Sequence, residues 1–129
     1  MLKLTARKKK WFTLPQDDTG ETKIELVHLK PGVVADIESK ASKVVGKQIG
    51  DDFHTEVDFR YREKLKTYAV TAIVDWEGFL NVKGTKMACT EANVLKVLKE
   101  FGWFAEQVQT FRDEFTEEVE AETEEEAKN

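Results

Sequence analysis

The side chains that could do chemistry in this chain are two histidines, one cysteine and a scatter of carboxylates. Neither His28 nor His54 has a second imidazole at the spacing that places two metal ligands on one helix face. His54 follows Asp51 and Asp52, a donor set that could suit a divalent cation. The same run sits beside Gly50 in a polar stretch that reads as a surface loop, so a metal centre is not expected. Cys89 precedes Thr90 at a helix start, where the macrodipole lowers a thiol pKa. A thiolate nucleophile also needs a base, and no histidine is near in sequence. Cys89 therefore reads as a small residue packed beneath a helix cap. Phosphate-binding, dinucleotide-binding and nucleophile-elbow patterns are all missing from the sequence. The chain is expected to be non-enzymatic and to need no cofactor.

Binding chemistry is the richer signal. Lys8-Lys9-Lys10-Trp11-Phe12 joins positive charge to aromatic rings, the ingredients of a single-stranded nucleic-acid site. The chain as a whole carries a net charge of −5, and an acidic protein makes a poor nucleic-acid ligand. The cluster is read instead as a solvated strand whose aromatic end enters the core. Trp103, Phe104, Phe111 and Phe115 crowd into one helical stretch, and Trp76 and Phe79 bracket Gly78. A small domain needs some of these rings for its own core. Where such rings stay exposed they anchor protein interfaces. Trp76, Phe79, Trp103, Phe104, Phe111 and Phe115 are accordingly the expected partner-binding residues.

Length and charge frame these candidates. With 129 residues the chain holds one domain with a modest core. No apolar run approaches the roughly 18 residues of a membrane helix, and the basic N-terminus is not followed by the apolar core of a signal peptide. A single cysteine fits a reducing compartment. Charge is polarised: residues 106–129 carry a net −8 and residues 1–105 a net +3. An acidic run of this kind can steer a basic partner. The expected division is one α+β domain over residues 1–116, with an acidic tail over 117–129.

Several elements must position the rings. Turn formers in P-Q-D-D-T-G (15–20) separate residues 2–14 from the apolar run 22–30, which predicts a β-hairpin with Ile24, Leu26 and His28 on one side. Pro31-Gly32 then breaks the run. Val33, Val34, Ile37, Ala41, Val44 and Val45 recur at helical spacing, with Gly46 as the stop. A bend at Gly50-Asp51-Asp52 leads to a helix capped by Thr55. Its face of Val57, Tyr61, Leu65, Tyr68, Ala69, Ala72, Ile73 and Trp76 predicts about five turns. The β-branched end, residues 69–74, suits a strand by composition, but the period continues through it and predicts helix. Residues 80–89 form a short hairpin or an extended loop, turning at Lys83-Gly84. Thr90 and Asn93 stand at N-cap spacing before a helix carrying Val94, Leu95, Val97 and Leu98, closed by Phe101-Gly102. A last helix bears Trp103, Phe104, Gln107, Val108 and Phe111. From residue 117 onward apolar side chains are too few to order the chain, and disorder or a frayed helix is expected. The fold class is thus an N-terminal β-hairpin followed by about four helices and an acidic disordered tail.

One stretch, residues 73–93, resembles a known family. Val74, Trp76, Gly78, Phe79, Gly84, Cys89, Thr90, Glu91 and Asn93, followed by Leu95 and Leu98, are similar to the pattern of tail assembly chaperones of long-tailed phages and prophages. Members of that family commonly read Ser/Thr-Pro-Glu-Asn at the last cap, where this chain has Thr90-Glu91-Ala92-Asn93. Lys83 and Lys86 also stand in a connection that is usually acidic.

The resemblance implies a protein that acts in the bacterial host cytoplasm during tail morphogenesis and is left out of the finished particle. Its implied partners are the tape-measure protein and the tail-tube protein. Self-association is left open, and neither a membrane nor nucleic acid is expected as a partner. Many members are also made in a longer, frameshifted form. The rival reading is a structural tail-completion or head–tail connector protein.

Overall fold

In a computed structural model that describes residues 2, 4, 7–44 and 53–128, the chain is α+β. Strands β1 (Lys9–Thr13) and β2 (Lys23–Val27) open it, followed by helices α1 (Pro31–Val44) and α2 (Phe53–Ala72). Strand β3 (Ile73–Glu77) comes next, then α3 (Glu91–Glu100) and α4 (Phe104–Lys128). The strands form one antiparallel sheet in the order β1-β2-β3.

The expected hairpin is present, and a single carboxylate organises its turn. Asp17 accepts the backbone N–H and hydroxyl of Thr19 (3.1 and 2.8 Å) and those of Thr22 (3.0 and 2.6 Å). These donors stabilise the anion and pull the Asp17 pKa down to about 2. Phe12, Ile24 and Trp76 lie side by side across the three strands, and all are buried. Trp11, Glu25 and Asp75 form the neighbouring row on the other face, which is the wetter one.

The third strand corrects the sequence expectation of a helix running to Trp76. The helix ends at Ala72, and Ile73 begins a strand with no intervening loop. A bulge explains the misleading period. Glu25 faces Asp75 and Leu26 faces Ile73, so Val74 is an extra residue in β3. The extra residue puts Ile73 and Trp76 on the same face at a spacing of three, where a regular strand would need two. That spacing mimics a helix. At the sheet's edge, Asp75 Oδ1 accepts the Trp76 backbone N–H at 2.8 Å. This satisfies a group that would otherwise invite another strand.

Helix ends follow the local chemistry. Pro31 opens α1, where its missing N–H costs nothing, and the Val33 and Val34 N–H groups donate to the Lys30 carbonyl. Thr90 caps α3 as expected, its hydroxyl accepting the Asn93 N–H at 3.2 Å, while Asn93 Nδ2 donates to the Ala88 carbonyl at 2.8 Å. The expected stop at Gly46 and the bend at Gly50-Asp51-Asp52 lie outside the described residues. Helix α2 begins at Phe53, so Thr55 lies within its first turn and not at the expected cap; the side chain of His54 lies outside the described residues.

The core lies between the inner sheet face and α4, with α2 and α3 closing its side. Phe12 stacks on Phe111 at 4.6 Å between ring centroids and meets Phe115 edge-on at 6.1 Å. Ile24, Leu26, Ala69, Ala72 and Phe104 are wholly enclosed. A polar clamp ties three helices together: the Tyr68 hydroxyl donates to Glu38 at 2.6 Å, and the Arg112 guanidinium lies 4.0 Å from the Tyr68 ring centroid. Of the two expectations for the acidic segment, disorder or a frayed helix, helix is what residues 117–128 adopt as the end of α4.

Candidate interaction surface

The site is assembled from the corner where β3 turns towards α3. Gly78 makes that corner with φ +86°, a conformation that L side chains rarely adopt. It also has no room for one: a Cβ there would lie 2.6 Å from the Glu21 carbonyl oxygen. The close approach seats the corner on the hairpin's end. Trp76 and Phe79 flank it with ring centroids 4.3 Å apart, and Trp76 Nε1–H donates to the Met87 carbonyl at 2.8 Å.

From Phe79 the chain makes a small excursion. Leu80 and Lys86 form an isolated bridge, and Asn81 Oδ1 accepts the Lys83 and Thr85 N–H groups at 2.9 and 3.0 Å. Gly84 completes the turn at φ +79°. The expected turn at Lys83-Gly84 is therefore present, in its hairpin form. Its tip presents Val82 to solvent at full exposure, with Leu80 at 57% beside it in sequence.

The six rings expected to bind a partner divide into two groups. Trp76, Phe79, Phe104 and Trp103 form a ladder from core to surface. Phe79 meets Phe104 edge-on at 5.9 Å, Phe104 meets Trp103 at 5.9 Å, and Trp103 lies 5.4 Å from Phe101. Phe111 and Phe115 belong instead to the cluster around Phe12 on the sheet. Most of the six serve the core. Trp76, Phe79, Phe104, Phe111 and Phe115 are all at most 8% exposed, whereas Trp103 is 36% exposed. Covering Phe12 and the sheet takes the large rings of α4, because a small domain has little else with which to fill that space.

Sequence reasoning missed Leu80, Val82 and Phe101, all of which remain exposed, Leu80 and Phe101 beside Trp103 at the outer end of the ladder. One signal was available: Val82 stands inside a tight turn, where an apolar side chain has no core to enter. Phe79, Leu80, Phe101 and Trp103 line a hollow of about 210 Å³ together with Leu14 and the polar edge of Asp17 and Gln16. A larger trough of about 850 Å³ runs along α2, with Leu65, Leu95 and Leu98 among its lining residues. Arg62, Lys66 and Lys99 at its sides are nearly balanced by Glu63 and Glu106.

The titratable candidates have structural surroundings. His28 lies edge-on to Phe115 at 5.7 Å, and burial together with the charges of Lys8 and Arg112 pushes its pKa down. Cys89 reverses the dipole expectation: burial, helped by the charge of Asp75, pushes its thiol up to about 11. Such a thiol is a poor nucleophile at neutral pH. Among the described residues no three His, Cys, Asp or Glu side chains gather as a metal site. Lys8 and Lys10 of the basic-aromatic cluster pair with Glu122 and Glu118 of α4, while Phe12 enters the core and Trp11 stays 39% exposed. No described helix is long and apolar enough to cross a membrane.

No curated protein and no solved structure matches the chain. A family model described as YdaY prophage protein matches residues 30–129, which takes in everything from α1 to the end of α4 and leaves out the β1–β2 hairpin. That span includes the Gly78 corner, the turn bearing Val82 and the whole ring ladder, and on this match the chain belongs to the YdaY prophage protein family.

Proposed function

We propose that this prophage protein is a non-enzymatic tail assembly chaperone that binds the tape-measure and tail-tube proteins in the host cytoplasm. The observation that carries the reading is the exposed apolar group of Leu80, Val82, Phe101 and Trp103. Trp103 among them is braced from behind by Phe104, which packs in turn on Phe79. A helix from a partner offers apolar side chains every three or four residues, and a rigid ring-lined corner can cover them. Membership of a prophage family and the resemblance of residues 73–93 to tail chaperones support the same reading. The function is shielding, so the chemistry required is apolar contact with a charged rim for solubility.

Co-expression with the tape-measure protein tests this. Wild type should be recovered in complex with it and keep it soluble, and Leu80→Ser/Val82→Ser/Trp103→Ser should not. Mass spectrometry of purified particles should lack the protein. Its presence there at stoichiometric level would favour a connector or tail-completion role instead.

A further inference from the structure

The last three turns of α4 are a helix that its own sequence opposes. Glu114, Glu118, Glu122 and Glu126 follow one another at i,i+4 spacing, and Glu120 and Glu124 repeat it. Like charges at that spacing repel, and carboxylates at a helix C-terminus also oppose the macrodipole. Few apolar side chains are available to compensate. Val119 is half-buried against the core, and residues 120–125 are exposed. What this segment does have is cations from another element. Lys8 Nζ lies 2.8 Å from Glu122 Oε2, and Lys10 pairs with Glu118. The Lys10 ammonium also sits 5.2 Å from the centroid of the Phe12 ring. One lysine thus joins the acidic helix to the aromatic cluster of the sheet. The pairs run in register, since the chain steps back from Lys10 to Lys8 as α4 advances from Glu118 to Glu122.

We propose that residues 117–128 form a charge-held strap, helical and docked only while Lys8 and Lys10 pair with Glu122 and Glu118, and detachable by a competing polycation. The lysines act on the strap alone, because residues 104–115 of α4 are anchored by Phe104, Val108, Phe111 and Phe115 in the core. The proposal concerns conformation and stands apart from any identity of the partner. Detachment would remove the Glu118 side of the bridge over Phe12 and open that edge of the core.

Hydrogen exchange on the full-length protein, read separately for residues 104–115 and 117–128, tests the strap. At low salt, Lys8→Gln/Lys10→Gln should lower protection of 117–128 by roughly 2- to 30-fold, the range that two exposed ion pairs can supply together. Protection of 104–115 should not change, which also shows that the variant is folded. Near 1 M salt, where the screening length falls to about 3 Å, wild type and variant should converge. Exchanging both pairs, with Lys8→Glu/Lys10→Glu against Glu118→Lys/Glu122→Lys, should restore the wild-type difference between the segments. Adding polylysine to wild type should deprotect 117–128. Equal protection of 117–128 in wild type and the glutamine variant at low salt would overturn the proposal, as would failure of the charge exchange to restore it.

Discussion

Gly78 and Glu21 touch backbone to backbone: the space a side chain would need at Gly78 is already filled by the Glu21 carbonyl oxygen, 2.6 Å from the Cβ position. This contact joins the end of the hairpin to the corner that starts the ring ladder. Close approach and positive φ both act against substitution. Gly78→Ala should therefore destabilise the fold by more than about 1 kcal/mol, measured as a lowered denaturant midpoint. Gly84→Ala, with a similar φ but nothing within 4 Å of its Cβ position, should cost less. Equal losses at the two sites would mean that φ alone matters and the contact does not.

Separating core rings from surface rings yields the second expectation. Phe111→Ala and Phe115→Ala should each destabilise by roughly 3–5 kcal/mol, as large-to-small changes in a packed core do. Leu80→Ser and Val82→Ser should shift stability by no more than about 0.5 kcal/mol. Thermal melts of the four variants check this. A binding defect in the first pair would reflect unfolding, so only the second pair can report on a surface.

Tyr68 provides a spectroscopic probe of the three-helix clamp. Burial and the hydrogen bond to Glu38 push its hydroxyl up to about 12, above the ordinary value of 10.0. Because the folded pKa is raised, the associated stability is fully present below pH 10 and is lost as pH rises through about 12. Ultraviolet titration should show a late-ionising tyrosine that disappears in Tyr68→Phe. Replacing Glu38 with Gln should move that late step to lower pH.

His28 should make the sheet–α4 corner acid-sensitive. Its folded pKa lies below the ordinary 6.5, so the unfolded chain takes up a proton first as pH falls. The stability linked to this group is complete above pH 6.5 and declines as pH drops from there towards the folded value. The groups opposing protonation are Lys8 and Arg112, and Glu120 favours it. Denaturant midpoints of wild type should therefore fall between pH 7 and pH 5 by more than those of His28→Asn. Parallel pH profiles in the two proteins would remove His28 from the account.

Read without its fold, the sequence determines elements whose signals are local. Turn formers at 15–20, Pro31 at a helix start and Thr90 with Asn93 at a cap are set by φ restrictions and by hydrogen bonds spanning two to five residues, so no distant partner is needed. Two decisions required the tertiary structure. Residues 73–77 became a strand because β2 supplies hydrogen-bond partners from fifty residues away, and the bulge at Val74 disguised that strand as helix. The rings were sorted into core and surface by which of them α4 turned onto Phe12 and the sheet. Periodicity places rings on one face of a helix, but only the opposing element decides whether that face meets protein or water. The acidic end of α4 follows the same logic: its composition favours unfolding, and the cations that oppose this come from residues more than a hundred positions earlier.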